Sequence, residues 1–360
     1  MLGWKYLTFR NKGGLQRTVA CAGLACMVGA VVGCMSTTDS SPDPFDAPIL
    51  SDNGWVPEER VLPKGWPTPT IPADNPYTPT KVILGRRLFR ETALGRDGTS
   101  CQWCHDPATA FAFKHGGLGG NISLTPTLRG PPTLINVAFA SSLMSDGSAS
   151  SLEEQILLPL FSPDEMNMTA LEIEARLTAD TGYVHLFRQA FGTGSITLAR
   201  VVQALAAYQR TLISYRSDYD RWQAGDSSAL SAEAKQGAAL FLGKADCKRC
   251  HTPPLFTDGS FHNIGIDSIP IDKGRMNFTG RTEDAGRFKT PTLRNLILTS
   301  PYMHDGRFEN LEQVVKHYSD GRRGHGADVE RLNLTDREQF ELVEFLKSLV
   351  DPTIFTETSF

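Results

Sequence analysis

Apolar residues recur with helical spacing through most of the chain. In TKVILGRRLF, opened by Thr78-Pro79 in the N-cap and first-turn pattern, the alternation predicts an amphipathic helix. SAEAKQGAALFLG starts at Ser231 as a cap and reads as helix up to Gly243. TLARVVQALAAYQRTLISY places Val201, Leu205, Tyr208 and Leu212 on one face. Thr335-Asp336-Arg337-Glu338 is a capping box, and the helix it starts should bury Phe340, Val343 and Leu346 or Leu349. Ser151-Leu152-Glu153-Glu154 reads as another capping box, with Pro159 expected to end or kink the helix that follows. In ENLEQVVKHYSDG, Leu311, Val314, Val315 and Tyr318 form a stripe at i, i+3, i+4 and i+7. That stripe turns Tyr318 inward and rotates His317 toward the polar side. By itself it describes a core tyrosine with a satisfied hydroxyl.

The N-terminal pattern is different. A basic region, MLGWKYLTFRNKGGLQR, leads into the apolar run TVACAGLACMVGAVVGC, which ends in small residues. This is the layout of an export signal whose apolar part is short for a membrane span. Val31-Val32-Gly33-Cys34 resembles a bacterial lipobox, which would make residues 1–33 a signal peptide and Cys34 a lipidated N-terminus. Met35 after that cysteine is compatible with the outer membrane. Residues 34–71 are rich in proline and are expected to form an extended tether to the membrane surface.

Charge excludes one class of partner. With 36 basic and 40 acidic residues in 360, the net charge of -4 leaves no general basic face for nucleic acid. Cysteine use is more informative. Of seven cysteines, three lie in the N-terminal segment and the other four form Cys101-Gln102-Trp103-Cys104-His105 and Cys247-Lys248-Arg249-Cys250-His251. C-x-x-C-H is the attachment pattern of c-type haem. Two thiols on one turn can each form a thioether to a haem vinyl group, and the adjacent histidine then presents its imidazole to the iron. A zinc half-site or a redox dithiol could use one such motif. Two of them, in an exported chain, favour haem. Each motif follows one predicted helix and precedes another. The expected fold is therefore mainly α, with two cytochrome c-type domains at 72–225 and 226–352 and a tail at 353–360.

From residue 70 to residue 350 the chain resembles the bacterial dihaem cytochrome c peroxidases and their MauG-type relatives. The resemblance is carried by PADNPYTPTKVILGRRLF, SCQWCHDPATAFA, SDGSASSLEEQILLPLFSPDEM, FKTPTLRNLILTSPYMHDGRFENLEQVV and CKRCH. It implies a peroxide-reacting N-terminal haem with His105 as its one axial ligand, and a six-coordinate C-terminal haem on His251. His115, ten residues after His105, is a rival sixth ligand for the first haem. The family's distal glutamine, proline and glutamate fall on Gln155, Pro159 and Glu165. Glu165 is then the acid and base that moves the peroxide proton, and Gln155 orients the bound oxygen. The family places a methionine or, in MauG-type members, a tyrosine fourteen residues after the histidine of PY-x-HDG. From His304 this is Tyr318, with His317 and Met303 as rivals.

Two departures are visible. The inter-haem tryptophan of the family is replaced by Ser145, with Trp103 the nearest substitute in sequence. The inter-haem calcium site keeps Thr299 and Pro301 but has Gly130 where an asparagine is usual, so weaker calcium binding is expected. The resemblance implies use of hydrogen peroxide to reach a high-valent iron state. The electrons would come from a donor protein, cytochrome c or a cupredoxin, or from tryptophan or tyrosine side chains of a protein substrate, on the periplasmic side of a bacterial membrane. A dihaem electron carrier without peroxidase activity is the alternative, and it has no need of Gln155 and Glu165.

Overall fold

The first long helix, α1 (Pro79–Phe89), begins where Thr78 accepts a hydrogen bond from the Lys81 amide at 3.3 Å. The computed structural model describes residues 61–112, 129–321 and 327–356. Cys34, the signal segment, the tether up to residue 60 and His115 lie outside the described residues. After α1 come α2 (Cys101–Cys104), α3 (Leu152–Phe161), α4 (Ala170–Thr178), α5 (Thr181–Phe191), α6 (Leu198–Gln209) and α7 (Asp218–Gln223). The remaining helices are α8 (Ala232–Leu242), α9 (Met276–Thr279), α10 (Leu311–Asp320), α11 (Asp336–Lys347) and α12 (Thr353–Thr356). One antiparallel pair, β1 (Phe261–His262) with β2 (Phe288–Lys289), sets Phe261 opposite Lys289.

Within the compact unit Ala47–Phe360 the apolar core falls into two clusters. The first is built where α1 crosses α6, around Leu84, Leu88, Phe89, Leu205 and Tyr208. The second is built where α8 crosses α11, around Phe241, Phe345 and Leu342, with Phe256 and Tyr219 packed on them. Each crossing depends on one glycine. A Cβ on Gly85 would lie 1.9 Å from the Ala204 carbonyl oxygen, and one on Gly237 would lie 2.0 Å from that of Glu341. The helices approach as closely as their backbones allow, and burying each ring between them contributes roughly 1.5–3 kcal/mol.

The two halves repeat in detail. Before α3, Met144 (φ 64°) and Gly147 (φ 77°) form a turn closed by the Leu143–Ala149 bridge. Before α10, Met303 (φ 71°) and Gly306 (φ 71°) do the same under the Tyr302–Phe308 bridge. Ser151 caps α3 and Asn310 caps α10, and all these pairs are the same number of residues apart. The same spacing sets Pro159 on α3 against Tyr318 on α10. The halves also meet reciprocally: the Gly130 amide donates to the His304 carbonyl at 3.0 Å, and the Lys289 amide donates to that of Ser145 at 2.8 Å.

Several sequence expectations need correction. The helix after Ser151 does not end at Pro159 but runs through it to Phe161, because a proline late in a helix forfeits only its own amide bond. The capping box there is half formed. Ser151 Oγ accepts from the Glu154 amide at 3.1 Å, while the Glu154 carboxylate turns to Ser150 at 2.6 Å. On α11 Val343 and Leu346 are buried, as is Leu349 just beyond its end, whereas Phe340 is 47 % exposed under the Arg337 guanidinium. The buried face of α11 runs through positions 342, 343, 345 and 346, which turns residue 340 outward. Leu212 is buried but lies beyond the end of α6.

The end of the expected tether is docked on the body. Trp66 packs edge-on to Tyr215 at 6.1 Å and lies under the Arg294 guanidinium at 4.6 Å. Arg294 is fully buried and is held by Asp220 at 2.7 and 2.8 Å. From the expected tail, Ile354 enters the first core cluster.

Candidate haem centres

At the first motif, the single turn of α2 brings Cys101 and Cys104 to one side, and the His105 amide closes the turn on the Cys101 carbonyl at 2.9 Å. The His105 ring places Nδ1 2.9 Å from the Phe111 carbonyl oxygen. A carbonyl can only accept, so Nδ1 carries the proton and Nε2 keeps its lone pair. Burial holds the imidazole pKa below its usual value and so favours the neutral ligand form. At the second motif the main-chain bond from His251 to Cys247 is 2.8 Å. His251 Nδ1 lies 3.0 Å from the Phe256 carbonyl, and burial again lowers its pKa. Both histidines therefore offer Nε2, which is the chemistry that axial iron ligation requires.

The cysteines carry no disulfide. Burial pushes the Cys101 and Cys247 thiols up to about 12 and Cys104 to about 11. They stay protonated at neutral pH, which is compatible with thioether formation.

A cavity of about 570 Å³ opens beside the second motif, lined by Cys247, Cys250, His251 and Tyr318. That volume is in the range of small-molecule and cofactor sites. Tyr318 has no hydrogen-bond partner for its hydroxyl among the described residues, contrary to the ordinary core tyrosine. Burial first, then the Cys247 and Cys250 sulfurs, raise the phenol pKa. An unpartnered hydroxyl facing two haem-type cysteines across a cavity fits an iron ligand. Met303 also lines this cavity, whereas His317 is turned onto Phe308, with ring centres 5.5 Å apart. These donor sets fit two c-type haems.

Around the first motif, the turn after α3 folds back so that the Met166 amide reaches the Pro159 carbonyl at 3.1 Å. This places Glu165 beside Pro159. Glu165 is also close enough to Cys104 for its charge to raise that thiol's pKa. Glu165 is an exposed residue at the surface of this turn, yet the atoms packed around its carboxyl raise its pKa, with Asp164 adding to the effect. Gln155 lies one turn before Pro159 on the same face of α3. Among the described residues its amide has one side-chain partner, the weak acceptor Met144 Sδ at 3.9 Å.

Gly130, Thr299 and Pro301 line the wall of the same large cavity, and Gly130 brings no side-chain oxygen to it. Ser145 is there too, and Phe288 stacks on His304 with centres 4.0 Å apart. Trp103 is 44 % exposed. Sequence reasoning missed the Arg129 clamp, which holds Asp272 at 2.6 Å and Asp146 at 2.7 Å across the two halves. It also missed Lys289 on the cavity wall. Aligning L-M-S-D-G with Y-M-H-D-G would have exposed the repeat that brings these residues together.

Comparison with known proteins gives a consistent picture. A family model described as di-haem cytochrome c peroxidase matches residues 79–228. The methylamine utilization protein MauG of Methylorubrum extorquens is 39 % identical over 349 residues, covering 94 % of each chain. The cytochrome-c peroxidase IdrP1 of Denitromonas iodatirespirans is 36 % identical, over 79 % of this chain and 85 % of its own. The crystal structure of a MauG-like protein associated with microbial copper homeostasis superposes with a TM-score of 0.76 at 32 % identity, covering 83 % of this chain and 96 % of that one.

Proposed function

Because the chain belongs to the family of dihaem cytochrome c peroxidases and MauG proteins, we propose that its two centres do unequal work, the first on peroxide and the second as a reservoir of oxidising equivalents. The protein is a peroxide-dependent haem oxidoreductase with two c-type haems. The observation that carries the unequal roles is the repeat itself. Where α10 presents Tyr318 to its cysteines, α3 presents Pro159, which has no donor atom for a metal.

When bound, the haem irons supply the redox chemistry: peroxide takes two electrons and two protons to become two waters, and the donor loses those electrons. Cys101, Cys104 and His105 hold the first haem, and Cys247, Cys250 and His251 hold the second. Pro159 would bring no donor atom to the iron of the first haem. Glu165 takes the proton from one peroxide oxygen and delivers it to the other as the O–O bond breaks, a task suited to a carboxyl with a raised pKa. Gln155, whose amide is barely engaged, turns its NH2 toward that oxygen. Tyr318 would offer its phenol oxygen to the iron of the second haem.

The partner is an electron-donor protein or a protein oxidised at tryptophan or tyrosine. Electrons from such a partner travel through the matrix, so no substrate pocket is needed. The chain works on the periplasmic side of a membrane, held by lipid on Cys34. No helix among the described residues is long and apolar enough to cross a membrane. The halves 72–225 and 226–352 act as the two haem domains, and calcium binds weakly at the Thr299 and Pro301 carbonyls. Mixing the holoprotein with hydrogen peroxide, with and without reduced cytochrome c, while following both haem spectra tests the reading. A rapid change at the first haem, coupled to oxidation of the cytochrome or to a long-lived oxidised state, supports it. Two haems inert to peroxide would refute it.

A further inference from the structure

Lys289 lies on the wall of the large cavity, and no carboxylate among the described residues serves it as a counter-charge. Its main-chain amide is tied to Ser145, which fixes the residue at the junction of the two halves. Its Nζ donates to the Ser142 carbonyl at 2.9 Å, and no carboxylate among the described residues pairs with it. The neighbouring acids are engaged elsewhere: Asp146 and Asp272 by Arg129, and Asp258 by His262 at 2.8 Å. Burial alone lowers the ammonium pKa to about 8. A half-buried charge satisfied by one neutral carbonyl is costly, and an anion in the cavity would relieve that cost.

We propose that the Lys289 ammonium is the charge partner of a carboxylate of the haem held by Cys247 and Cys250, and that it thereby raises that haem's reduction potential. The inference rests on the reading that this cavity holds the second haem. An ammonium next to a haem favours the form with one more electron, so neutralising it favours the oxidised form. The arginine variant keeps the charge at that place, and the glutamine and methionine variants remove it.

The test uses the holoprotein and its Lys289→Gln, Lys289→Met and Lys289→Arg variants. Haem content is measured first, and then the potentials of both haems by spectroelectrochemical titration. Two haems per chain are expected throughout. The neutral variants should shift the second haem's reduced-to-oxidised ratio about tenfold toward oxidised, ~59 mV for one electron. The arginine variant should stay within about twofold of wild type, and the first haem should not move. As a check independent of folding in the variants, the haem carboxylate-bending Raman bands of the wild type should shift in D2O. Unchanged potentials in the neutral variants would mean that Lys289 only holds the Ser142 carbonyl. An arginine variant displaced as far as glutamine, or Raman bands indifferent to D2O, would also overturn the proposal. Fewer than two haems in the wild type would instead overturn the reading of the cavity.

Discussion

Glu165→Gln keeps the shape of the side chain at the first centre and removes its ability to accept a proton. Crowding around the carboxyl and the nearby Asp164 disfavour its ionised form, so its pKa lies above the usual 4.5. A positioned acid–base group contributes about 10²–10⁴ in rate, or roughly 3–5.5 kcal/mol of barrier. The second-order rate constant of the holoprotein with hydrogen peroxide, measured by stopped flow, should fall by about that factor. The sign with pH follows from the same shift. A carboxyl that must accept a proton works above its raised pKa, so the wild-type rate should fall as pH drops through it, and the glutamine variant should be flat there. Stability should move the other way. With the folded pKa raised, ionisation opposes folding at every pH above the unfolded value, and the amide removes that opposition. The variant should therefore melt no lower than wild type while reacting far more slowly. A variant that reacts at the wild-type rate, or whose loss merely tracks lost haem, would refute the proton role.

Tyr318→Phe should alter the absorption spectrum and potential of the second haem and leave the first unchanged. Ionising a phenol of pKa 10 at pH 7 costs about 4 kcal/mol, and burial beside two sulfurs adds to this, so only a strong metal bond can hold the phenolate. An unchanged spectrum would return the ligand role to Met303. Gly237→Ala should cost about 3 kcal/mol or more in thermal unfolding, since its Cβ would sit 2.0 Å from the Glu341 carbonyl oxygen; an unshifted melting curve contradicts the close crossing. Asp220→Ala leaves the fully buried Arg294 unpaired and should cost about 3–5 kcal/mol by denaturant titration. A cost under about 1 kcal/mol would mean that Trp66 and the Pro254 carbonyl satisfy the guanidinium.

Features written in contiguous residues were legible in the sequence. α1, α8, α6 and α11 follow their caps and apolar spacing, and the C-x-x-C-H motifs put thiols and imidazole on one turn. The stripe that turned Tyr318 inward leads to the cavity wall. What escaped depends on residues far apart in the chain. Lys289 reads as an ordinary strand lysine until Ser142 and Ser145, from the other half, are seen against it. Arg129 gives no sign of its two aspartates, one of which comes from the second half of the chain. Phe340 lies outward because a stripe through Phe340 and Val343 and one through Leu342 and Phe345 fit the helical period almost equally well, and packing against α8 decides between them.

The central claim is that one chain holds two irons in unlike settings, the first with an open distal side and the second closed by protein. Low-temperature electron paramagnetic resonance of the oxidised holoprotein, before and after one equivalent of hydrogen peroxide, tests it most directly. One high-spin and one low-spin ferric signal are expected, with the high-spin signal lost on adding peroxide. Two low-spin signals that peroxide leaves unchanged would contradict it.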